Sequence, residues 1–514
     1  MTHLFGPDFD AQLRDAPERI AFDLGDFALS YGALDRQARD LAVRLRARLP
    51  GAPPGTPIGL STPCPASHLL MFLATQYAGF AHLPLNPRLT DAERVRLLLT
   101  TGAALLVSDA PGALPEGVGH VSLRPATLTH PTNGPQVDLP PATGDSTTLP
   151  VVAPDSIGLV ISSSGSSGKP KCVRIPRGRY AHHIAAQRRA TDVRTEDVFQ
   201  LLLPLFHGGG IIAVLGTALA AGARIAAMPP GPFVAERVFD HLDATGATLT
   251  HWIPTMLFRV AEALERTPRR FPALRGIVFG SMPMDPTLLD RCRRLFPGCL
   301  QQTYASTECG LIGILGAERI DAGFDASARI VPGQGVHIVD DQDQDVPEGE
   351  IGELVVERAL ALIADYAQDP DLTAKVVRGN LVHSGDLVRR LPDGYFRFVA
   401  RKDTLIVTGG LKVAPSEVEA ALAPHPQIRD LAVLGLPDPE YGEAVCAVIV
   451  PREVPGAPPL DLEQLRDWAR GVLAPYKLPR RLVVLDELPR TESGKLAFGA
   501  LRAQLSALPD PVGA

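Results

Sequence analysis

Up to about residue 330 this chain alternates short apolar runs with stretches of helical period, and a layered α/β fold is the architecture that buries every run. Positions 33–48 place Leu34, Ala38, Leu41 and Leu45 at helical spacing with arginines between them, which predicts a surface helix. Residues 57–60 read as a strand, 67–80 as a largely buried helix, 91–100 as a helix and 103–108 as a strand. Further strands are expected at 157–161, 199–203, 223–227, 249–252 and 276–279, with helices between them such as 234–244. Strands separated by helical crossovers pair in parallel. Residues 111–154 are rich in Pro, Gly, Thr and Asp with weak periodicity and read as irregular surface structure. From 336 the texture changes to short strands and turns, at 337–339, 352–356 and 394–398. Beyond 403 a compact α+β unit is expected: helix 416–423, strands 431–435 and 444–450, helix 462–473, strand 481–485, then a free tail from about 506. The expected fold class is α/β. A large N-terminal region, 1–402, holds layered α/β sheets with a small β-rich subdomain at about 330–400, and 403–514 form a small α+β C-terminal domain.

The bulk numbers exclude several classes. With 514 residues, 45% hydrophobic and 21% charged, this is a globular composition with ample material for large cores. A formal charge of −7 gives no global pull towards nucleic acid or anionic membranes, so any anion site is local. The six cysteines show no CxxC pair and no zinc spacing with histidine, as expected of a reducing cytoplasm. Residues 1–10 carry no basic n-region or apolar h-region, so no signal peptide is expected. The longest apolar run, 211–221, is short of the ~20 residues that span a bilayer, and no transmembrane segment is expected.

One segment is composed to hold an anion. Residues 162–171 place five serines, two glycines and two lysines directly after the apolar run 157–161. Glycines let backbone N–H groups turn towards a phosphate, hydroxyls add donors and lysine adds charge. A P-loop requires four residues between its glycines and Ser or Thr after the lysine. Here only Ser166 and Ser167 separate Gly165 from Gly168, and Pro170 follows Lys169, so the segment is not a P-loop.

The stretch from Ser163 to Lys171 resembles the signature loop of the adenylate-forming superfamily, which includes acyl-CoA synthetases, adenylation domains of peptide synthetases and luciferases, with Ser for Thr throughout and Cys172 where the family has glycine. The resemblance runs from about Tyr31 to about Leu501, with its motifs in the family's order. It implies that Ser163, Ser164, Gly165, Ser166, Ser167, Gly168 and Lys171 bind the phosphates of ATP. Leu203-Pro204-Leu205-Phe206-His207-Gly208 resembles the segment lining the acyl pocket, with His207 gating the path of acid and thiol; the absence of an Asp there disfavours an α-amino acid. Phe279, Gly280 and Ser281 fall in the strand-to-loop segment beside adenine and the acyl pocket.

Gln302-Thr303-Tyr304-Ala305-Ser306-Thr307-Glu308 resembles the family's Tyr-Gly-x-Thr-Glu. Tyr304 then stacks on adenine with Gln302 nearby, Thr307 binds the α-phosphate and Glu308 holds Mg²⁺, a hard cation suited to carboxylate and phosphate oxygens. Thr303 and Ala305, both larger than glycine, hint at a short or narrow acid. Ser384-Gly385-Asp386 and Arg401 resemble the ribose-binding pair, with Asp403 as the hinge and Ala400 in place of glycine. Gly409 and Gly410 resemble the thiol tunnel, and Ser416 reads as a helix N-cap. Pro489-Arg490-Thr491-Glu492-Ser493-Gly494-Lys495 resembles the family's last motif, whose lysine is catalytic.

The implied activity is that of an AMP-forming acyl-CoA ligase: a small to medium carboxylic acid, aryl acids included, is activated by Mg·ATP to acyl-AMP and passed to coenzyme A, with the small domain mobile about Asp403. The alternatives are a stand-alone adenylating enzyme that loads an acyl carrier protein's phosphopantetheine and, from another class, a non-catalytic adenylate binder. Oligomeric state is not legible; a homodimer is one option.

Overall fold

A computed structural model of the protein describes residues 5–110, 112–124, 136–139, 149–164, 170–282, 284–324, 327–490 and 496–506. The described chain divides into two compact units, one formed by residues up to 164, 170–336 and 356–382, the other by 337–355 and the residues from 383 onward.

The first unit contains two sheets. In one, Asp365–Tyr366, Pro170–Pro176, Ile157–Ser164, Ala81–Leu85, Pro57–Ser61, Leu105–Ser108, Gly119–Arg124 and Gln136–Val137 lie side by side in that order. Its centre is parallel: Pro57–Ser61 pairs with Ala81–Leu85 and with Leu105–Ser108, which pairs with Gly119–Arg124. The last of these strands lies in the stretch read as irregular. The signal there is weak because only Val121 and Leu123 turn inward. Between the strands runs the helix Pro65–Ala78, apolar on every side and buried along nearly its whole length. Pro65 opens it, and Gly79, at φ +76°, closes it with a left-handed residue. Leu69, Leu70, Met71, Phe72 and Leu73 are each 0–4% exposed, and burial of each contributes about 1.5–3 kcal/mol.

In the second sheet of this unit Arg224–Ala227, Val198–Leu201, Leu249–Trp252, Gly276–Phe279 and Leu300–Ser306 are parallel, as the alternation predicts. One face is covered by Ala235–Thr245, Pro254–Arg266 and Pro286–Leu295: Gln200 meets His241 at 3.1 Å, and Trp252 packs on Phe296. On the other side lie the helix Arg177–Ala190 and the apolar run after His207, which folds as a π-helix, Gly209–Gly216, continued by the α-helical Thr217–Ala221. Among the described residues no helix is long and apolar enough to cross a membrane.

The strands Val336–Val339, Ile351–Glu357, Leu381–Arg390 and Tyr395–Arg401, most of whose residues belong to the second unit, lie side by side. A further sheet joins Leu411–Val413, Ile406–Thr408, Gly442–Pro451 and Ile428–Asp438, with Arg481–Val484 parallel to Gly442–Pro451. Its central strand is buried on both faces: Val445, Ala447 and Ile449 join one apolar cluster with Val418, Leu422 and Leu465, while Cys446, Val448 and Val450 join another with Leu501. Helix 462–473 stops at Ala469, and Phe498–Ser506 is helical; the tail beyond it lies outside the described residues. The N-cap reading of Ser416 is corrected. Pro415, whose φ is preset for a first helical residue, begins the helix after Ala414, and the Ser416 hydroxyl donates to the Val399 carbonyl instead. All six cysteines are free thiols, and five are buried.

Candidate functional site

The arms of the phosphate hairpin are Ile157–Ser164 and Pro170–Pro176, with Ser163 opposite Lys171 and Ser162 opposite Cys172. Gly165, Ser166, Ser167, Gly168 and Lys169 lie outside the described residues. Cys172 is 1% exposed in an apolar cluster with Ala81, Leu83 and Val160, and its φ is not positive, so glycine's freedom is not needed there.

Thr307 and Glu308 occupy the turn between Leu300–Ser306 and the antiparallel Gly310–Leu315, with Tyr304 opposite Gly313. The Ser306 hydroxyl accepts from Cys309 N at 2.9 Å and closes the turn. Gly310 has φ +80°, and a Cβ there would come within 2.3 Å of the His183 ring. His183 Nδ1 accepts from Leu311 N at 3.2 Å, so Nε2 carries the proton and donates to Leu360 O at 2.8 Å. Burial pushes this imidazole down to about 4, so it stays neutral in that role.

Glu308 is fixed from a third direction. Its Oε1 accepts from the Tyr366 hydroxyl at 2.6 Å, and its carbonyl accepts from Ile363 N at 2.9 Å. Tyr366 sits on Asp365–Tyr366, which pairs with Pro170–Pro176 (Asp365 opposite Arg174, Tyr366 opposite Val173), and the Arg174 guanidinium forms a two-pronged pair with Asp365. The turn bearing Glu308 is thus tied to the outgoing arm of the phosphate hairpin. Oε2 of Glu308 carries no partner among the described residues, and an oriented, half-buried carboxylate oxygen fits a divalent cation shared with phosphate oxygens. Neither Tyr366 nor His183 was singled out by the sequence, since both act across more than fifty residues and carry no local motif.

Phe206 and His207 follow the strand Val198–Leu201, their rings 4.6 Å apart. The chain folds back sharply there: Gly210 N donates to His207 O at 3.1 Å, and a Cβ on Gly210 would meet Pro204 O at 2.2 Å. Gly280 is equally constrained, its absent Cβ lying 2.4 Å from Thr303 O, while the Thr303 hydroxyl donates to Phe279 O at 3.3 Å. Gly280 and Thr303 share the face away from the helix Ala235–Thr245, whereas Phe279 and Gln302 are in register with Trp252 on the covered face. Ser281 has φ +73°, a left-handed conformation that serine adopts at a cost, at the point where the strand gives way to the loop. Ala305 follows a register shift at Tyr304.

In the second unit Asp386 is in register with Arg401, whose Nη1 donates to Asp386 Oδ1 at 2.7 Å and to Ser384 O at 2.9 Å. The Ser384 hydroxyl donates to Leu354 O at 2.6 Å and accepts from Asp386 N at 3.0 Å. Gly385, at φ +74°, donates its N–H to Glu353 Oε1 at 3.2 Å. Glu353, 5% exposed, also meets His383 Nδ1 at 3.2 Å and Lys402 Nζ at 3.1 Å. Burial pushes its carboxyl up, but the hydrogen bonds from His383 and Lys402 outweigh that and hold it down to about 2. Asp403 stands in a short 3-10 turn beside Arg401 Nε, at 3.5 Å, and Ala400 is buried opposite Leu387. Gly409 (φ +57°) and Gly410 (φ +80°) are the two turn residues of the hairpin Ile406–Thr408 and Leu411–Val413, a position where both residues need positive φ. Thr491 to Lys495 lie outside the described residues; Arg490 and Leu496, on either side, bridge one another.

A family model for the AMP-binding enzymes matches residues 9–364, and one for the AMP-binding enzyme C-terminal domain matches residues 417–495. The chain is 31% identical over 501 residues to a feruloyl-CoA synthase of Amycolatopsis sp, covering 95% of this chain and 96% of that protein. It is 31% identical over 436 residues to an indoleacetate–CoA ligase of Aromatoleum aromaticum, covering 82% and 84%. Among solved structures, ATP-bound MatB from Rhodopseudomonas palustris matches with a TM-score of 0.82 at 23% identity, covering 97% of this chain and 99% of that one.

Proposed function

Because this chain belongs to the AMP-binding enzymes of the adenylate-forming superfamily, as an AMP-forming acyl-CoA ligase that uses ATP, Mg²⁺ and coenzyme A, we propose that it activates an aryl carboxylic acid at the residues described above. The observation that carries the site reading is the Thr307–Glu308 turn held by Tyr366 against the outgoing arm of the phosphate hairpin. The relatives named for feruloyl and indoleacetyl thioesters support an aryl acid, and the lack of an acidic side chain at Phe206–His207 speaks against an α-amino acid.

The chemistry runs in two displacements. A carboxylate oxygen of the acid attacks the α-phosphorus of ATP, the bond to the pyrophosphate oxygen breaks, and acyl-AMP remains. The thiol sulfur of coenzyme A then attacks the acyl carbon, its proton passes to solvent, and AMP leaves. Positioning and charge stabilisation supply the rate. Lys495 supplies positive charge to the carboxylate and α-phosphate oxygens as negative charge gathers there in the first step. Thr307 donates to the α-phosphate, Asp386 accepts from the ribose hydroxyls under the grip of Arg401, and the residues of segment 163–171 serve the outer phosphates. Glu308 would hold Mg²⁺, which supplies charge neutralisation to the phosphates. The C-terminal domain, 403–514, turns about Asp403 between the two steps and brings Gly409 and Gly410 to the thiol. The enzyme works in the cytoplasm.

The test is pyrophosphate release with Mg·ATP across a panel of carboxylic acids, each with and without coenzyme A. Multiple turnovers that need both an aryl acid and coenzyme A are expected. A single-turnover burst that free coenzyme A does not relieve would instead assign the acceptor to a carrier protein.

A further inference from the structure

The strand Leu249–Trp252 shows its side chains alternately to the two faces of its sheet. Thr250 donates to Gln200 at 2.9 Å on the face covered by the helix Ala235–Thr245, so His251 belongs to the opposite face. There it is in register with Val278, which is in register with Gln301. Gly276 and Gly280 flank Val278 on that same face: a Cβ on Gly276 would meet the Leu249 side chain at 2.6 Å, and one on Gly280 would meet the Thr303 hydroxyl at 3.0 Å. His251 therefore lies one pleat repeat, about 7 Å, deeper along the strands than Gly280 and Thr303, and on the same wall.

His251 is 4% exposed, and neither of its ring nitrogens has a hydrogen-bond partner among the described residues. Oε1 of Gln301, two strands along, is buried and likewise has no partner among them. Buried polar atoms in native folds are almost always paired, by the protein or by ordered water, and a bound ligand can take the place of that water. Burial pushes the His251 imidazole down to about 4. It is thus neutral at physiological pH, with one N–H to donate and one nitrogen to accept. Leu249 and Val278 around it are apolar and fully buried, so an ionised group would find no counter-charge there.

We propose that His251 forms the far wall of the acid pocket, and that the acid carries a neutral hydrogen-bonding group, a hydroxyl on its ring, at the end remote from the reacting carboxylate. This rests on the reading of Gly280 and Thr303 as pocket residues of an acid–thiol ligase. A second carboxylate at that end is disfavoured, and an unsubstituted ring leaves the imidazole unpaired.

The experiment is ATP–pyrophosphate exchange with acids matched except for one hydroxyl (4-hydroxycinnamate and cinnamate, 4-hydroxybenzoate and benzoate, an ω-hydroxyalkanoate and its parent), using wild type, His251→Phe and His251→Gln. Wild type is expected to favour the hydroxylated member of the best pair at least tenfold in kcat/KM, since a site built to pair a hydroxyl rejects the analogue without it. In His251→Phe that ratio should fall to within about twofold whatever the overall rate, and in His251→Gln, which keeps a donor and an acceptor, it should survive in part. Thermal shift supplies a reading free of turnover: the hydroxylated acid should raise the unfolding midpoint of wild type more than its parent does, and lose that margin in His251→Phe. Indifference of wild type to the hydroxyl, or a preference that persists in His251→Phe, overturns the inference and leaves the ligase reading standing. Exchange with no carboxylic acid at all overturns both.

Discussion

The Tyr366 hydroxyl, 2.6 Å from one oxygen of Glu308, decides where the other oxygen points. A hydrogen bond to a charged group contributes about 1.5–3 kcal/mol. Tyr366→Phe should therefore weaken Mn²⁺ binding about tenfold in the presence of a non-hydrolysable ATP analogue, measured by electron paramagnetic resonance, and excess cation should restore turnover. An unchanged binding curve would remove Tyr366 from the metal site. At Glu353 the expectation concerns acid stability. Its carboxyl is held down to about 2 from an ordinary 4.5, so its stabilisation is complete above pH 4.5 and is lost as pH falls towards 2. Glu353→Gln should cost about 3 kcal/mol at neutral pH and flatten the acid limb of stability between those values, read from denaturant midpoints. Residues of this kind mark the limit of legibility. Asp386 and Arg401 could be singled out as candidates because a motif surrounds each, whereas Glu353 and Tyr366 reach their partners across the fold and look ordinary in sequence.

Elements were legible wherever one period dominated. The parallel strands from Val198 to Phe279 and the helix Tyr31–Arg48, capped by Ser30, appear within a few residues of their expected places because each buries a regular face. The π-helix Gly209–Gly216 was not foreseen, since its run is apolar on all sides and gives no period to read. Its entry turn does carry a sharp steric requirement at Gly210. Gly210→Ala places a methyl against Pro204 O, which should cost about 1–3 kcal/mol and displace Phe206 and His207. The expected readings are a lowered unfolding midpoint and an adenylation rate that falls by more than the loss of folded protein explains. Full activity in that variant would show that the turn relaxes freely. The glycines at 409 and 410 were legible as residues but not as a turn, because the hairpin depends on pairing Thr408 with Leu411.

For the whole molecule, the superfamily was legible because several motifs occur in one order, and the order is what no chance match reproduces. The acid was not, since pocket shape depends on which face of a sheet each residue takes, and register is set by partners far away in sequence. Lys495 belongs to this scale, because its proposed role requires one region of the chain to serve one half-reaction only. Lys495→Ala should abolish acyl-AMP formation by several orders of magnitude while thioester formation from supplied acyl-AMP continues. Equal loss in both half-reactions would refute the division of labour.

The thiols bear on how such a division can be watched. Burial pushes Cys172 up to about 11 and Cys292 and Cys446 up to about 12, and it raises Cys299 as well. These sulfurs are therefore almost wholly protonated at neutral pH, and it is the thiolate that reacts. Cys172, Cys292 and Cys446, buried as well as protonated, are poor targets for an alkylating dye. A cysteine introduced on the surface of each unit would take the fluorophore ahead of these three, and changes in separation during turnover could be followed without first rebuilding the core around their replacements.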